Sequence, residues 1–442
     1  MTRGTSGGIG VAQGAALTIG AVLGTGVISL PALAAHIAGP ASLVAWLALV
    51  VLSAPLATTF AALGSRYPSP GGVSEYVRKA FGGPAATAVG WCFYFAVPVG
   101  APPAAMFAGG YVANLIGGGR VTITATMVVL VVGVTAMNAF GLRLSGRVQL
   151  ALTAILAVLL LVTTISALRH ASPGRLVPFA PHGWAAIGPA AAVLVWGFAG
   201  WEAVTSLTAE YRRPRRDVAR ATAIAIAVVG LLYLGVAATC LMVLGSRTGS
   251  SQAPLADLLT IGLGGPARVV MTVVALLLTI GAMNSYYAGS ARLGAALARE
   301  GSLPAWLGRG GSAGEVPRRS LAVIAVLSLV SLTIMSLVNA GTSALVLLTT
   351  GSFTLVYAFG MAAAVKLLAG WRRAVAVAAL VAVAGLLVVT GWHVLWGLAV
   401  VAGALGYSYL RRRTVRTAEA STPQEVKVPA QTAAGAVTEG AC

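Results

Sequence analysis

The sequence predicts an all-α membrane protein of about twelve transmembrane helices, and three observations predict it. Only 9% of its 442 residues are charged and 58% are hydrophobic, with a mean hydropathy of +0.90, whereas a soluble domain carries roughly 25% charged residues. Apolar segments near the ~20 residues needed to cross a bilayer follow one another from residue 10 to 410 with no long polar stretch. The arginines fall between those segments. Length alone would suggest about three soluble domains, but this pattern reads as one membrane domain.

Charge-free runs, divided where turn residues interrupt longer ones, place the spans in order. They lie near 11–36, 41–65, 84–115, 121–140, 147–168, 185–208, 221–245, 267–297, 319–338, 342–366, 374–390 and 393–410. The run from 320 to 365 is too long for one crossing, and Asn339-Ala340-Gly341-Thr342 is its natural turn. The last two spans divide near Gly391. The segment before them, 1–10, is a short N-terminus; 11–413 forms the transmembrane domain. The tail, 414–442, is polar, Ala/Thr-rich and aperiodic, and is expected to be disordered.

The lysine and arginine bias orients these spans, because cytoplasmic loops carry the positive excess. With the N-terminus inside, 24 of the 29 basic residues fall on the cytoplasmic side, leaving Arg120, Arg169, Arg175, Arg247 and Arg268 outside. Both termini are then cytoplasmic. Arg3, the first apolar stretch and Ala34-Ala35 resemble a signal peptide only superficially, since the stretch is too long and many spans follow, so no cleavage is expected. The net charge of +19 is a topology signal; a nucleic-acid partner would need an exposed folded surface that this chain barely has. Cys92, Cys240 and Cys442 give neither a disulfide framework nor metal-ligand spacing, so no cofactor or metal is expected.

Two spans are abnormal. The first contains Gly24-Thr25-Gly26 and the sixth Gly197-Phe198-Ala199-Gly200 followed by Glu202, both near mid-membrane depth. Glycines there weaken a helix and free its backbone groups, and an unwound turn in a membrane is tolerated only where it lines a cavity or is buried in protein. Interrupted helices at corresponding positions of two halves point to a transporter's binding site. A first repeat over about 11–168 and a second over about 185–366 would each hold five spans. An odd number inverts the second copy, which gives a five-plus-five inverted repeat with two extra helices over about 374–410. Half-helix amino ends with free N–H groups suit a carboxylate and unwound carbonyls suit an ammonium group, so a zwitterion matches such a site.

These residues resemble the amino acid-polyamine-organocation permeases along nearly the whole membrane region. Gly24-Thr25-Gly26-Val27 is similar to that family's first-helix Gly-Ser-Gly-Ile element, with threonine in place of serine. Tyr67 to Val73 with Tyr76-Val77-Arg78 resembles its first cytoplasmic loop, Trp196 to Glu202 its sixth helix, and Glu210 to Pro214 and Arg292 to Pro304 later loops. Leu23 to Ala34, Val97 to Ala105 and the Trp196 segment resemble the family's bacterial exporters of methionine and branched-chain amino acids. The resemblance implies a fold like the five-plus-five transporters and a substrate carboxylate on the amides around Thr25 and Gly26. It implies an ammonium group on the carbonyls of Val22, Trp196 and Ala199, with Trp196 as a gating aromatic. The implied substrate-binding set is Val22, Gly24, Thr25, Gly26, Trp196, Phe198, Ala199 and Gly200.

Glu202 is the one acid placed well within a span, where an ionisable group is costly enough to be functional by default. One turn beyond the sixth-helix break, it is the expected proton-exchanging residue. Some relatives place a lysine in span five where a sodium-coupled transporter would bind its ion; Val148 to Leu168 has none, so proton antiport is preferred and sodium stays open. The four histidines sit at span ends or in loops. Arg66, Arg78 and Lys79 with Glu75 could pair across an inward gate or serve topology alone.

The sequence reading is therefore a secondary transporter in a bacterial plasma membrane, exporting neutral hydrophobic amino acids such as methionine, leucine, isoleucine and valine. An importer, coupled to protons or sodium, is the alternative. Its partners are the amino acid, protons and the lipid bilayer. No enzyme is expected, because nucleophiles, metal ligands and paired carboxylates do not cluster.

Overall fold

The computed structural model describes residues 10–67, 72–141, 146–202, 211–309, 316–338 and 341–421, and the regular elements among them are all helical. In chain order they are α1 (Val11–Leu23), α2 (Leu30–Ala38), α3 (Ser42–Arg66), α4 (Gly72–Phe81), α5 (Gly83–Ile116), α6 (Gly119–Ala139), α7 (Gly146–Leu168) and α8 (Ile187–Phe198). There follow α9 (Pro214–Leu244), α10 (Pro254–Leu263), α11 (Ala267–Arg299), α12 (Arg318–Val338), α13 (Thr342–Leu367), α14 (Trp371–Thr390) and α15 (Val394–Ser421), with short 3-10 turns between some of them.

Nine apolar segments among the described residues are long enough to cross a bilayer. Trp371–Arg411 holds two helices, α14 and α15, divided where Gly391 takes φ +62°, a left-handed value that glycine adopts without a Cβ penalty. Leu30–Arg66 joins α2 to α3, and α1 with α2 forms the interrupted first span; α8 opens the interrupted sixth. The twelve-span pattern follows. The turns expected at Pro68–Gly71 and Asn339-Ala340, Glu210, the end of span six at 203–208 and the termini at 1–9 and 422–442 lie outside the described residues.

Two elements differ from expectation. The last helix runs on to Ser421, into the polar segment expected to be disordered from Thr414. Between spans seven and eight, α10 packs on α7 and α11 where only a loop was expected. At 10 residues it is too short to register as a span, and Ser251 begins it by accepting the amide of Ala253 and donating to Asp257.

The helix α5 lies at the centre, packed against α6, α11, α12, α13 and α15, and is mostly buried; α7, α14 and α15 show most of their surface outward. It carries Pro98, Pro102 and Pro103 in its interior. A proline lacks the N–H that would bond the carbonyl four residues back, so Pro98 frees Tyr94 O. The Ser290 hydroxyl on α11 donates to that oxygen at 3.4 Å. This is the neighbour-supplied satisfaction that lets proline sit inside a membrane helix. Elsewhere on α11, Asn284 accepts from the buried Asn138 amide of α6 at 2.8 Å, and Tyr287 donates to Ser328 of α12 at 2.7 Å. Together α5, α6, α11 and α12 form a second core beside the larger one around α2, α3, α8, α9 and α13.

At the basic end, Glu75 lies 3.7 Å from Arg78 and 3.9 Å from Lys79 on its own helix, while Arg78 reaches Glu300 at the end of α11 at 2.7 Å. Arg66 takes no part; it lies over the Tyr67 ring. These exposed pairs add at most about 1 kcal/mol each.

Candidate binding site at the helix breaks

The first break spans Gly24 to Ser29. Helix α1 ends at Leu23, and Gly24 turns the chain out of it with φ 16° and ψ −155°. Ser29 and Leu30 donate to Gly26 O, starting α2 with Pro31 in its first turn, where a missing N–H costs nothing. Among the described residues the amides of Thr25 and Gly26 donate to no other group. They stand at the amino end of α2, which carries partial positive charge. On the far side of the break, Tyr111 of α5 donates to Ile28 O at 2.5 Å.

The second break begins after Phe198. Ala199 is extended, at φ −66° and ψ 136°, and Gly200 takes φ +123°. The Gly200 amide donates to Glu202 Oε2 at 2.9 Å, and Tyr357 of α13 donates to the same oxygen at 2.6 Å. The carboxyl thus folds back onto its own unwound segment.

Glycine is required where the breaks meet. A Cβ on Gly26 would lie 2.9 Å from Gly197 Cα. At Gly200 it would sit 2.5 Å from Ala21 O and 2.8 Å from the same residue's carbonyl carbon. The glycines that weaken each helix are also what let the two backbones touch.

Tyr233 of α9 ties the breaks together, and nothing in the sequence marks it out. Its hydroxyl lies 2.9 Å from Val22 O and 2.7 Å from Gly197 O, sharing one proton between carbonyls in the last turns of two broken helices. The ring is fully buried, edge-on to Trp46 and Phe198 at 5.1 and 5.2 Å. Tyr233→Phe is expected to lower stability by about 1–2 kcal/mol, the cost of leaving buried carbonyls short of a donor. Unfolding of the purified protein in detergent measures it; an unchanged midpoint would rule this bridge out.

A cavity of about 380 Å³ opens where the breaks meet. That is at the lower end of the range for small-molecule sites. Val22, Gly24, Thr25, Gly26, Trp196, Ala199 and Gly200 all line it, as does Glu202. Phe198 does not: its ring turns away into the core against Trp46, 6.2 Å off, and Tyr233. Successive residues point about 100° apart on a helix, and Phe198, two residues after Trp196, falls on the opposite face.

The rest of the wall comes from helices that the sequence reading did not assign to the site. Phe93, Val97 and Gly100 come from α5, Met283, Tyr286 and Ser290 from α11, and Thr349 and Phe353 from α13. Phe353 meets Phe93 edge-on at 5.7 Å and Tyr286 at 6.4 Å. Trp196 stands across the cavity with its indole edge-on to Phe107 at 6.0 Å and Nε1 directed at Thr25 Oγ1 at 3.4 Å. A Cβ on Gly100 would come within 3.3 Å of the indole, so this glycine leaves the ring its place. Among the described residues Glu202 carries the one carboxyl that lines the cavity, and no lysine, arginine or histidine lines it. No three His, Cys, Asp or Glu side chains converge among the described residues.

The arrangement offers free amides at the amino end of α2, carbonyls at the carboxyl ends of α1 and α8, and an otherwise apolar, partly aromatic wall. Comparison with known proteins agrees with that chemistry. The profile of the family described as "Amino acid permease" matches residues 9–408. The chain is 32% identical over 405 residues to the uncharacterized amino acid permease YecA of Bacillus subtilis, covering 91% of this chain and 95% of that protein. It is 31% identical over 401 residues to the L-methionine/branched-chain amino acid exporter YjeH of Escherichia coli, covering 89% and 94%. A branched-chain amino acid permease of Bacillus subtilis, BcaP, is 26% identical over 242 residues, half of each chain.

Proposed function

The chain belongs to the amino acid permease family, and on that footing we propose that it is a secondary active transporter that exports neutral, hydrophobic amino acids. The observation that carries this reading is the cavity at the two breaks. Residues of one helix amino end, whose amides donate to no other described group, and of two helix carboxyl ends line it together, the pairing of partial charges that a zwitterion needs. The substrate carboxylate sits on the amides of Thr25 and Gly26, and its ammonium group faces the carbonyls around Val22, Trp196 and Ala199. Val22 O already accepts from Tyr233, and a carbonyl's second lone pair serves the ligand.

The side chain then faces Phe93, Met283 and Phe353, which favours methionine, leucine, isoleucine or valine over charged side chains. Among the described residues no second carboxyl lines the cavity to balance a cationic substrate. Trp196 closes over the ligand. Glu202 carries the proton whose movement in one direction drives the amino acid in the other, with sodium as the competing ion. The pairing of span one with six and of three with eight around one cavity is what a five-span repeat calls for, and alternating access follows from rocking one part of the bundle past the other. The protein spans a membrane many times; we place it in the bacterial plasma membrane with both termini on the basic, cytoplasmic side.

The Escherichia coli relative is named an exporter, which favours export. Counterflow in proteoliposomes against a panel of amino acids, under imposed proton or sodium gradients, tests substrate and ion together. Hydrophobic neutral amino acids are expected to exchange and arginine and glutamate not to; exchange of cationic substrates would overturn the neutral reading. Cells loaded with methionine-containing peptides should extrude methionine faster with the protein than without. Faster accumulation inside would identify an importer.

Thr25→Ser is expected to keep transport and to shift preference toward bulkier side chains by roughly tenfold, the lower end of what one methyl in a pocket discriminates. An unchanged order of substrates would show that the threonine methyl takes no part in selection.

A further inference from the structure

The basic end of the bundle between α3, α4, α13 and α14 carries a second constellation, outside the cavity. Lys79 Nζ lies 5.0 Å from the Tyr67 ring centre, with Arg66 Cζ on the same ring at 5.7 Å. Lys366 Nζ lies 5.2 Å from the Phe81 ring while donating to Ala80 O, and Arg372 Cζ lies 5.7 Å from Trp371. Helix α14 packs against both α3 and α13. Its first turn, Trp371 to Arg373, therefore shares an end with Arg66 and Lys366.

The charge there is unbalanced. Glu75 is the one carboxylate on these helices' basic ends among the described residues, and it is already held by Arg78 and Lys79. Arg66, Lys366, Arg372 and Arg373 have no carboxylate partner among the described residues. Trp371 is 71% exposed and Phe81 45%, and exposed rings at the end of a membrane helix belong at headgroup depth. Below Trp371, Val377, Val381 and Val388 form an exposed apolar stripe down one face of α14.

We propose that this end is a binding site for an anionic diacyl phospholipid. Its phosphate sits among Lys366, Arg372 and Arg373, and one acyl chain lies along the valine stripe. Topology alone would explain the cations, since loops facing the cytoplasm are basic. It makes every pair of arginines at this end equivalent. The lipid reading makes Arg372 and Arg373 special.

The test is to titrate the full-length protein in detergent with phosphatidylglycerol, with phosphatidylcholine of the same acyl chains, and with inorganic phosphate, reading occupancy by native mass spectrometry. Phosphatidylglycerol should be retained over phosphatidylcholine, and millimolar phosphate should not displace it. Arg372→Gln/Arg373→Gln should weaken retention about 25-fold, each cation near an anionic headgroup contributing a factor of roughly five. Arg318→Gln/Arg319→Gln, with the same loss of charge at the same end, should not. Trp371→Ala keeps every charge and should still weaken retention, which separates the site from general attraction. Equal retention of the two lipids, equal losses in the two arginine pairs, or displacement by phosphate alone would each overturn the assignment.

Discussion

Replacing Gly200 with alanine is expected to abolish amino acid exchange while the protein still inserts in the membrane. The residue holds φ +123°, a region closed to side-chain-bearing residues at a cost of order 1–3 kcal/mol. The added Cβ would also fall 2.5 Å from Ala21 O, which is backbone and has no rotamer to yield. Relief requires the sixth-span break to move away from the end of α1. That displaces Ala199 and Val22, the carbonyls proposed to hold the ammonium group. A shift of about 1 Å at a positioning group costs on the order of 100-fold. Gly385→Ala on α14, where a Cβ meets nothing within 4 Å, provides the control and should leave exchange unchanged. If Gly200→Ala exchanges substrate like the parent, the two breaks do not meet in the way described.

Glu202→Gln is expected to separate coupling from exchange. Glutamine keeps the size of the side chain and an oxygen that can accept from the Gly200 amide and from Tyr357, bonds that fold Glu202 onto the break. It removes the proton that a carboxyl can take up and release. Flux driven by a pH gradient should therefore vanish, while counterflow at equal pH on both sides persists near the parent rate. Full pH-driven flux in this variant would sink the coupling role. Loss of both activities, with the fold intact, would assign the carboxyl to holding the break open, since the site would then have collapsed along with the coupling.

Both predictions rest on residues that the sequence pointed to, and the reason is physical. A glycine pair in the middle of an apolar span conflicts with the requirement that backbone groups in a membrane be paired, so it marks a special place by itself. The same holds for a lone carboxyl within a span. No such conflict marks Phe93, Met283 or Phe353, which are ordinary apolar residues in apolar helices. Tyr233 shows the limit most clearly. A tyrosine in a membrane helix is unremarkable by composition, and only its position between Val22 O and Gly197 O makes it a bridge. Phe198 shows the converse: the family resemblance implied a ligand contact, but helical rotation turns the ring into the core beside Trp46.

The order of residues along the chain is enough to dictate the solvent and the places where helix fails. Composition calls for a bilayer, apolar runs count the spans, and Gly24-Thr25-Gly26 and Gly197 to Gly200 mark two interruptions. Those are local properties, set by residues within a turn or two of each other. Which helices close the cavity, which freed carbonyls find a partner and which remain for a ligand are settled only by packing. Those depend on residues on different helices, far apart along the chain, meeting at a distance of a few ångströms, as Tyr357 meets Glu202 and Ser290 meets Tyr94. Hydrophobicity drives all the helices into the membrane alike, and so it cannot say which faces of them will meet.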